Sequence, residues 1–221
     1  MKKFALIVAG GSGQRMGAAL PKQFLLLQNK PLLCYSIEAF IQAFDDHKII
    51  LVLPPEHLTK GEEIISQYQY QKVILTAGGE TRFHSVQNGL RAVTEPSIIF
   101  VHDGVRCMVT TGLIRRCYKQ ALEKGSAIPA VAATDSIRID EGSTHHIIDR
   151  NKVRIIQTPQ TFRSEILVPA YEQEYQSSFT DEAGVVESSG QEVFLIEGEY
   201  DNLKITRPID IFLAEKILES R

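Results

Sequence analysis

Tryptophan is absent from the 221 residues, and cysteine occurs only three times. Cys34, Cys107 and Cys117 are odd in number and lack the paired spacing of a zinc site or a disulfide framework, so neither staple is expected and a reducing cytoplasm is the expected setting. No window approaches the ~20 apolar residues of a membrane span, and no low-complexity tract or repeat interrupts the chain. Met1-Lys2-Lys3 ahead of Phe4 has the look of an export signal, but the apolar run ends at Gly10 after about five residues and reads as a first β-strand. An excess of charge of one sign is also missing: 24 Lys and Arg stand against 27 Asp and Glu, a formal net charge of −3. That balance argues against general nucleic-acid binding, so any anion must be held by a local convergence of cations. A chain of this length hides roughly 70% of its unfolded surface, enough for one α/β domain (1–221) with a small appendage.

What is present is an alternation of buried strands and amphipathic helices. Phe4 to Val8, Lys48 to Leu53, Val73 to Ala77, Ile98 to His102 and Ala127 to Ala132 are short, Val- and Ile-rich runs bounded by Gly, Pro or Asp, as in the buried strands of a largely parallel sheet. Between them, Leu33, Ile37, Phe40, Ile41 and Phe44 share one helical face, and Ile114, Cys117, Tyr118, Ala121 and Leu122 share another. The order implies a doubly wound, mixed but largely parallel sheet of Rossmann-like type, with ligands beyond the carboxyl ends of its strands. Residues 135–156 break the rhythm: they are polar, turn at Glu141-Gly142 and alternate weakly, which predicts a β-arm projecting from the domain. A lone ribbon is marginal in water, so the arm is expected to pack on a partner. Pro208 opens a last helix, and Ile211, Phe212, Ala214, Ile217 and Leu218 are expected to dock it on the sheet.

Three strand ends carry the chemistry. Ala9-Gly10-Gly11-Ser12-Gly13-Gln14-Arg15 follows the first strand directly; its glycines let backbone N–H groups wrap an anion, and Arg15 and Lys22 add charge to the same loop. It is not a Walker loop, because Lys22 lies between Pro21 and Gln23, and the dinucleotide fingerprint would need glycine where Met16 stands. Gly78-Gly79-Glu80 with Ser85 is a second strand-to-helix loop, suited to a flat base lying against backbone. At the third, Asp103 and Arg106 flank Gly104. In a doubly wound sheet these ends converge on one crevice.

The loop and Pro21-Lys22-Gln23 resemble the nucleotidyltransferases that activate sugar and polyol phosphates. With Gly78-Gly79-x-x-Arg82-x-x-Ser85-Val86, Val101-His102-Asp103-x-x-Arg106, Asp149-Arg150, Thr158-Pro159-Gln160, Thr180-Asp181-Glu182-Ala183 and Asn202-x-Lys204-x-Thr206-x-Pro208, the chain resembles along essentially its whole length the 2-C-methyl-D-erythritol 4-phosphate cytidylyltransferase family of the non-mevalonate isoprenoid pathway. The resemblance implies transfer of a cytidylyl group from CTP to that polyol phosphate, with Mg²⁺ as cofactor. It implies that Arg15 and Lys22 stabilise the transition state, and that Ala9, Gly10, Gly11, Gly13, Gly79, Glu80 and Ser85 bind CTP. Asp103, Arg106, Ser136, Arg150, Thr158, Thr180 and Lys204 would bind the polyol phosphate, with Asp103 helping to hold the metal, and the arm would complete a homodimer. The chain departs from the family pattern in two places: Gly104-Val105-Arg106-Cys107 replaces Ala-Ala-Arg-Pro, and Ser136 replaces Thr. The closest alternative, ribitol 5-phosphate cytidylyltransferase, shares the loop and Thr158-Pro159-Gln160, but Asp149-Arg150-Asn151 and Thr180-Asp181-Glu182-Ala183 look less like it. A catalytically silent nucleotide-binding module would have lost Arg15 or Lys22, and both are present.

Overall fold

The computed structural model describes residues 1–11 and 21–221. Its core is a sheet built on β1 (Lys2–Val8), β4 (His47–Leu53), β5 (Val73–Ala77), β6 (Ser97–Asp103), β7 (Ser126–Ala132), β10 (Arg154–Ile156), β11 (Gln160–Arg163) and β12 (Leu195–Glu197). Among the described residues the order is β10-β7-β11-β6-β1-β4-β5, with β12 on the other side of β7. The β6-β1-β4-β5 half is parallel, while β11 runs antiparallel to both β6 and β7.

Period-two alternation divides the core into two layers. Ala5, Ile7, Ile49, Leu51 and Phe100 face one side, where α1 (Leu32–Ala43), α2 (Leu58–Gln67) and α4 (Thr111–Lys124) lay down Ile37, Phe40, Ile64, Leu113 and Ile114. Phe4, Leu6, Ile50, Val52 and Ile99 face the other, under α3 (Arg82–Leu90), α5 (Ser164–Ala170) and α6 (Glu182–Ser188). Helices on both faces explain why these strands read as continuous apolar runs. The expected doubly wound sheet is what forms.

Two expectations need correction. Of residues 135–156, only β8 (Ile137–Asp140) and β9 (His145–Ile148) form the separate ribbon. Arg154–Ile156 instead pairs with Ala130–Ala132 of β7, where its backbone finds a ladder that a free arm could not offer. The last helix, α7 (Pro208–Glu219), opens on Pro208 as expected, yet it does not dock on the central sheet. Its buried side packs Ala214, Ile211, Ile217 and Leu218 against Leu27, Leu32, Val105, Met108 and Ile205, beside the small hairpin of β2 (Leu26–Leu27) and β3 (Lys30–Pro31). Phe212 faces outward and is 54% exposed, because a 3.6-residue period puts it with Ile209 and Leu213 on the opposite side.

Candidate active site

The carboxyl ends of β1, β5 and β6 open into one crevice. Its main cavity, about 260 Å³, is lined by Ala9, Gly10, Gly11 and Lys22 after β1, by Gly79, Glu80, Arg82 and Ser85 after β5, and by Asp103 and Lys204. A second and larger hollow, about 470 Å³, continues it past Gly78 toward Pro54 and Glu56, sharing Gly10, Gly79, Glu80 and Ser85. On the other flank lies a smaller cavity, about 180 Å³, lined by Arg106, Thr158, Gln160, Thr180 and Asp181 together with Arg82, Asp103 and Lys204.

Local chemistry explains the nucleotide-side wall. Thr81 caps α3, its Oγ1 accepting from His84 N–H at 3.3 Å, and Ser85 Oγ accepts from Gly79 N–H at 3.1 Å. The chain is drawn in so tightly that a Cβ on Gly79 would sit 2.5 Å from His84 Cβ, so the second glycine is demanded by the turn itself as well as by any ligand. At Gly11 a Cβ would lie 3.1 Å from Lys22 Cε, which places the lysine stem against the glycine loop.

Electrostatics centre on Asp103, buried at the end of β6. Lys204 Nζ lies 2.9 Å from Oδ2, Arg82 Nη2 3.3 Å from Oδ1 and Arg106 Nε 3.6 Å from Oδ2, the last an ion pair beyond hydrogen-bond reach. Burial alone would push this carboxyl up, but Arg82, Lys204 and Arg106 together hold it well below the usual carboxylate range. Arg106 is a clamp: Nη1 donates to the Asn202 carbonyl at 2.8 Å and Nη2 to the Ile156 carbonyl at 3.2 Å. Arg82 is gripped by both oxygens of Glu182, a fully buried carboxylate that also accepts from Tyr171 Oη at 3.2 Å.

A hydrogen-bond chain runs beneath this cluster. His102, fully buried, has Nε2 3.2 Å from the Arg106 carbonyl, which can only accept, so Nε2 carries the proton and Nδ1 accepts from Thr158 Oγ1 at 2.9 Å. Thr158 Oγ1 in turn accepts from Asp103 N–H at 3.0 Å. Burial pushes the His102 pKa down to about 4, keeping the ring neutral.

Of the residues singled out in the sequence, Ala9, Gly10, Gly11, Lys22, Gly79, Glu80 and Ser85 line the main cavity, Arg106, Thr158 and Thr180 line the smaller one, and Asp103 and Lys204 line both. Gly13 and Arg15 lie outside the described residues. Ser136 and Arg150 line neither cavity; Arg150 is exposed and donates to its own chain's Thr134 carbonyl at 2.6 Å. Sequence reasoning assigned no role to Arg82, Glu182, Gln160 or Asp181, although each stands inside a quoted motif. Gln160 and Asp181 fix the Thr180 loop: Gln160 Nε2 donates to Asp181 Oδ2 at 3.0 Å, and Gln160 Oε1 accepts from Ala183 N–H at 2.8 Å.

A doubly wound sheet with a glycine-walled cavity opening onto a cationic one defines an α/β nucleotidyltransferase. Comparison with known proteins narrows the class. Residues 4–220 match the family described as IspD: 2-C-methyl-D-erythritol 4-phosphate cytidylyltransferase. Proteins of that name from Bacteroides fragilis and Bacteroides thetaiotaomicron are 42% and 43% identical over 219 residues, covering 99% of this chain and all of theirs. The solved structure of 4-diphosphocytidyl-2C-methyl-D-erythritol synthase from Anaerococcus prevotii superposes with a TM-score of 0.84 at 26% identity, over 98% of both chains. The chain belongs to the 2-C-methyl-D-erythritol 4-phosphate cytidylyltransferase family, which sets aside both the ribitol phosphate reading and the silent module.

Proposed function

We propose that this enzyme transfers a cytidylyl group from CTP to 2-C-methyl-D-erythritol 4-phosphate in isoprenoid precursor biosynthesis, with CTP in the main cavity and its base-side extension and the polyol phosphate in the smaller one. The observation that carries this reading is the direct junction of a glycine-walled cavity holding Lys22 with a cavity walled by Arg106 and Lys204. An acceptor phosphate oxygen attacks the α-phosphorus of CTP in line and pyrophosphate leaves. The protein's task is to align two anions that repel each other and to neutralise the charge that builds between them. Lys22, with Arg15 outside the described residues, serves the triphosphate. Lys204 faces both substrates, and Glu80 and Ser85 stand where the base would lie.

The donor set fits Mg²⁺ only in its phosphate-sharing mode. Among the described residues no group of three His, Cys, Asp or Glu side chains converges, so the chain builds no all-protein cage. Asp103 offers one hard oxygen ligand, and Mg²⁺ characteristically combines one or two carboxylates with substrate phosphates and water. Bound there, the ion would supply neutralisation of phosphoryl charge.

The working form is a homodimer whose arms complete each other's crevice. Ile139 and Ile147, on opposite faces of the ribbon, and Ile155, Leu195 and Tyr200 near its base are exposed apolar side chains that a second copy wrapping the ribbon would cover. Arg150 and Ser136 serve the partner's polyol phosphate. A cytoplasmic location rests on the three cysteines, which are free and buried; no helix among the described residues is long and apolar enough to cross a membrane.

Pyrophosphate release from CTP and Mg²⁺ with each candidate phosphate tests the substrate: a kcat/KM for ribitol 5-phosphate equal to or above that for methylerythritol phosphate would reverse the assignment. Co-refolding Lys22→Ala with Arg150→Ala tests the shared site. Mixed dimers place both defects in one site and leave the other intact, so roughly a quarter of wild-type activity should return. No recovery, with mixed dimers confirmed by mass, would show that Arg150 acts within its own chain.

A further inference from the structure

Arg82, Asp103 and Lys204 are the residues common to the two cavities, so under the function proposed above they stand where the acceptor phosphate meets the α-phosphate. Asp103 repels phosphate, and Lys204 is a known expectation of the family. Arg82 is unaccounted for, and its position is costly. It is the first residue of α3, where the helix dipole disfavours a cation. Its guanidinium reaches instead to Glu182 at the start of α6, a hundred residues away in sequence, and to Asp103 at the end of β6. Glu182 has no exposed surface, and among the described residues its one other side-chain partner is the hydroxyl of Tyr171. A carboxylate buried this completely is expensive to keep ionised unless paired, and among the described residues Arg82 is the one cation paired with it.

The two ends of this arrangement differ. Toward Glu182 the fork is bidentate, with Nη2 at 3.0 Å, a geometry that fixes the guanidinium plane. Toward Asp103 the same Nη2 makes a long contact of 3.3 Å. The side chain of Arg82 stays 28% exposed, into the crevice. The geometry points to Arg82 as a phosphate-binding residue at the junction of the two substrates, aimed by Glu182 and Tyr171, which act on the reaction only through it. A phosphoryl oxygen takes the weakly held Nη2 side, while Glu182 keeps the guanidinium from following the ligand. The same grip ties the Gly79-Glu80 wall to the Thr180 loop.

The test uses the full chain as wild type, Arg82→Ala, Glu182→Gln and the double variant. Arg82→Ala should lower kcat/KM for the polyol phosphate by roughly 10- to 100-fold, the scale of losing one hydrogen bond to a charged group, and change KM for CTP by less than about 3-fold. Glu182→Gln should shift the same parameter in the same direction. The double variant should show the activity of Arg82→Ala alone, yet unfold at a higher temperature than that single variant, because the unpaired buried carboxylate is gone. If Glu182→Gln lowers activity by its full factor in the Arg82→Ala background as well, Glu182 acts on the site independently and the proposal is wrong. Unchanged polyol-phosphate kinetics in Arg82→Ala would also overturn it. Thermal stabilisation by inorganic phosphate separates this idea from the substrate assignment. A wild type that turns over no methylerythritol phosphate, but whose stabilisation by phosphate disappears in Arg82→Ala, would fail the assignment and uphold the role of Arg82. Stabilisation retained in Arg82→Ala would refute that role.

Discussion

Replacing Thr158 by Val is the sharpest probe of the buried chain beneath Asp103. Valine keeps the shape of threonine, so no cavity opens, and the perturbation is confined to the hydroxyl. That hydroxyl accepts from Asp103 N–H at 3.0 Å and pairs with His102 Nδ1 at 2.9 Å, in a position only 4% exposed. Its removal strands a buried backbone donor and a buried imidazole acceptor. Each such orphan costs about 1–3 kcal/mol, so the expected loss for the two is about 2–6 kcal/mol. For a chain of this size each kcal/mol lowers Tm by about 2–4 °C, giving a fall of roughly 4–24 °C in a calorimetric scan. Thr158→Ser keeps the hydroxyl and deletes one methyl, a loss of about 1 kcal/mol. The diagnostic is the gap between the two variants. If valine costs no more than serine, the chain contributes nothing measurable and the argument fails. If valine leaves Tm unchanged while raising KM for the polyol phosphate, the hydroxyl serves the ligand directly, as the family resemblance implies, and not the scaffold.

Lys22→Ala should lower kcat by roughly 10²–10³, the scale of removing one donor that acts mainly in the transition state; a rise in KM for CTP with kcat intact would make Lys22 a plain binding group. His102 titrates at about 4 in the fold against its ordinary 6.5, so the unfolded chain binds the extra proton between those values. Stability should therefore be full above pH 6.5 and fall by about 3 kcal/mol as pH drops toward 4. His47, whose pKa burial also lowers, adds to the same slope. Urea titrations of wild type and His102→Gln over this range should differ in slope, and equal slopes would refute the assignment. Gly104→Ala should destabilise by about 1–3 kcal/mol, because a Cβ there falls 2.9 Å from Ala9 Cβ and 3.2 Å from Leu33 Cδ1; unchanged urea unfolding would show that the backbone has room to yield.

The parallel strands were legible because burial on both faces makes them continuous apolar runs, and Phe4 to Val8 or Ile98 to His102 admit no other period. The strand-end loops were legible because glycines beside Arg, Lys and Asp have few other uses. Short strands were not: Leu195–Glu197 and Arg154–Ile156 owe their existence to the open edges of β7, which no local pattern announces. Phe212 was placed inward since an apolar residue on a terminal helix looks the same whether it meets the core or faces outward. Arg82 and Glu182 are separated by a hundred residues, so each could be read only as a surface charge until the fold joined them. The family resemblance gives Thr158 to the ligand, and Thr158 does line the smaller cavity, but its bonds to Asp103 N–H and His102 Nδ1 appear only in the fold.

The cluster around Asp103 shows how such a site can be ready for two anions before either arrives. Three cations brought this close would repel one another, and an isolated buried carboxylate would take up a proton. Together they hold each other in place: Asp103 stays ionised because of its neighbours, and they tolerate proximity because of Asp103. The partners differ in freedom. Arg106 is bound to the carbonyls of Asn202 and Ile156, and Arg82 to Glu182, so both keep their positions whatever enters. Lys204 is 41% exposed and rests on Asp103 Oδ2 through one contact on a flexible stem. An arriving phosphate can draw that ammonium away without dismantling the frame. Arg82, Arg106 and Lys204 are matched in number by Asp103, Glu182 and Asp181, so attraction for phosphate rests on where the cations are held and not on an excess of them. Under the proposed function, the two fixed guanidinium groups would supply the preorganisation that lowers a transition state, and the more loosely held ammonium the adjustment as charge moves from acceptor to leaving group.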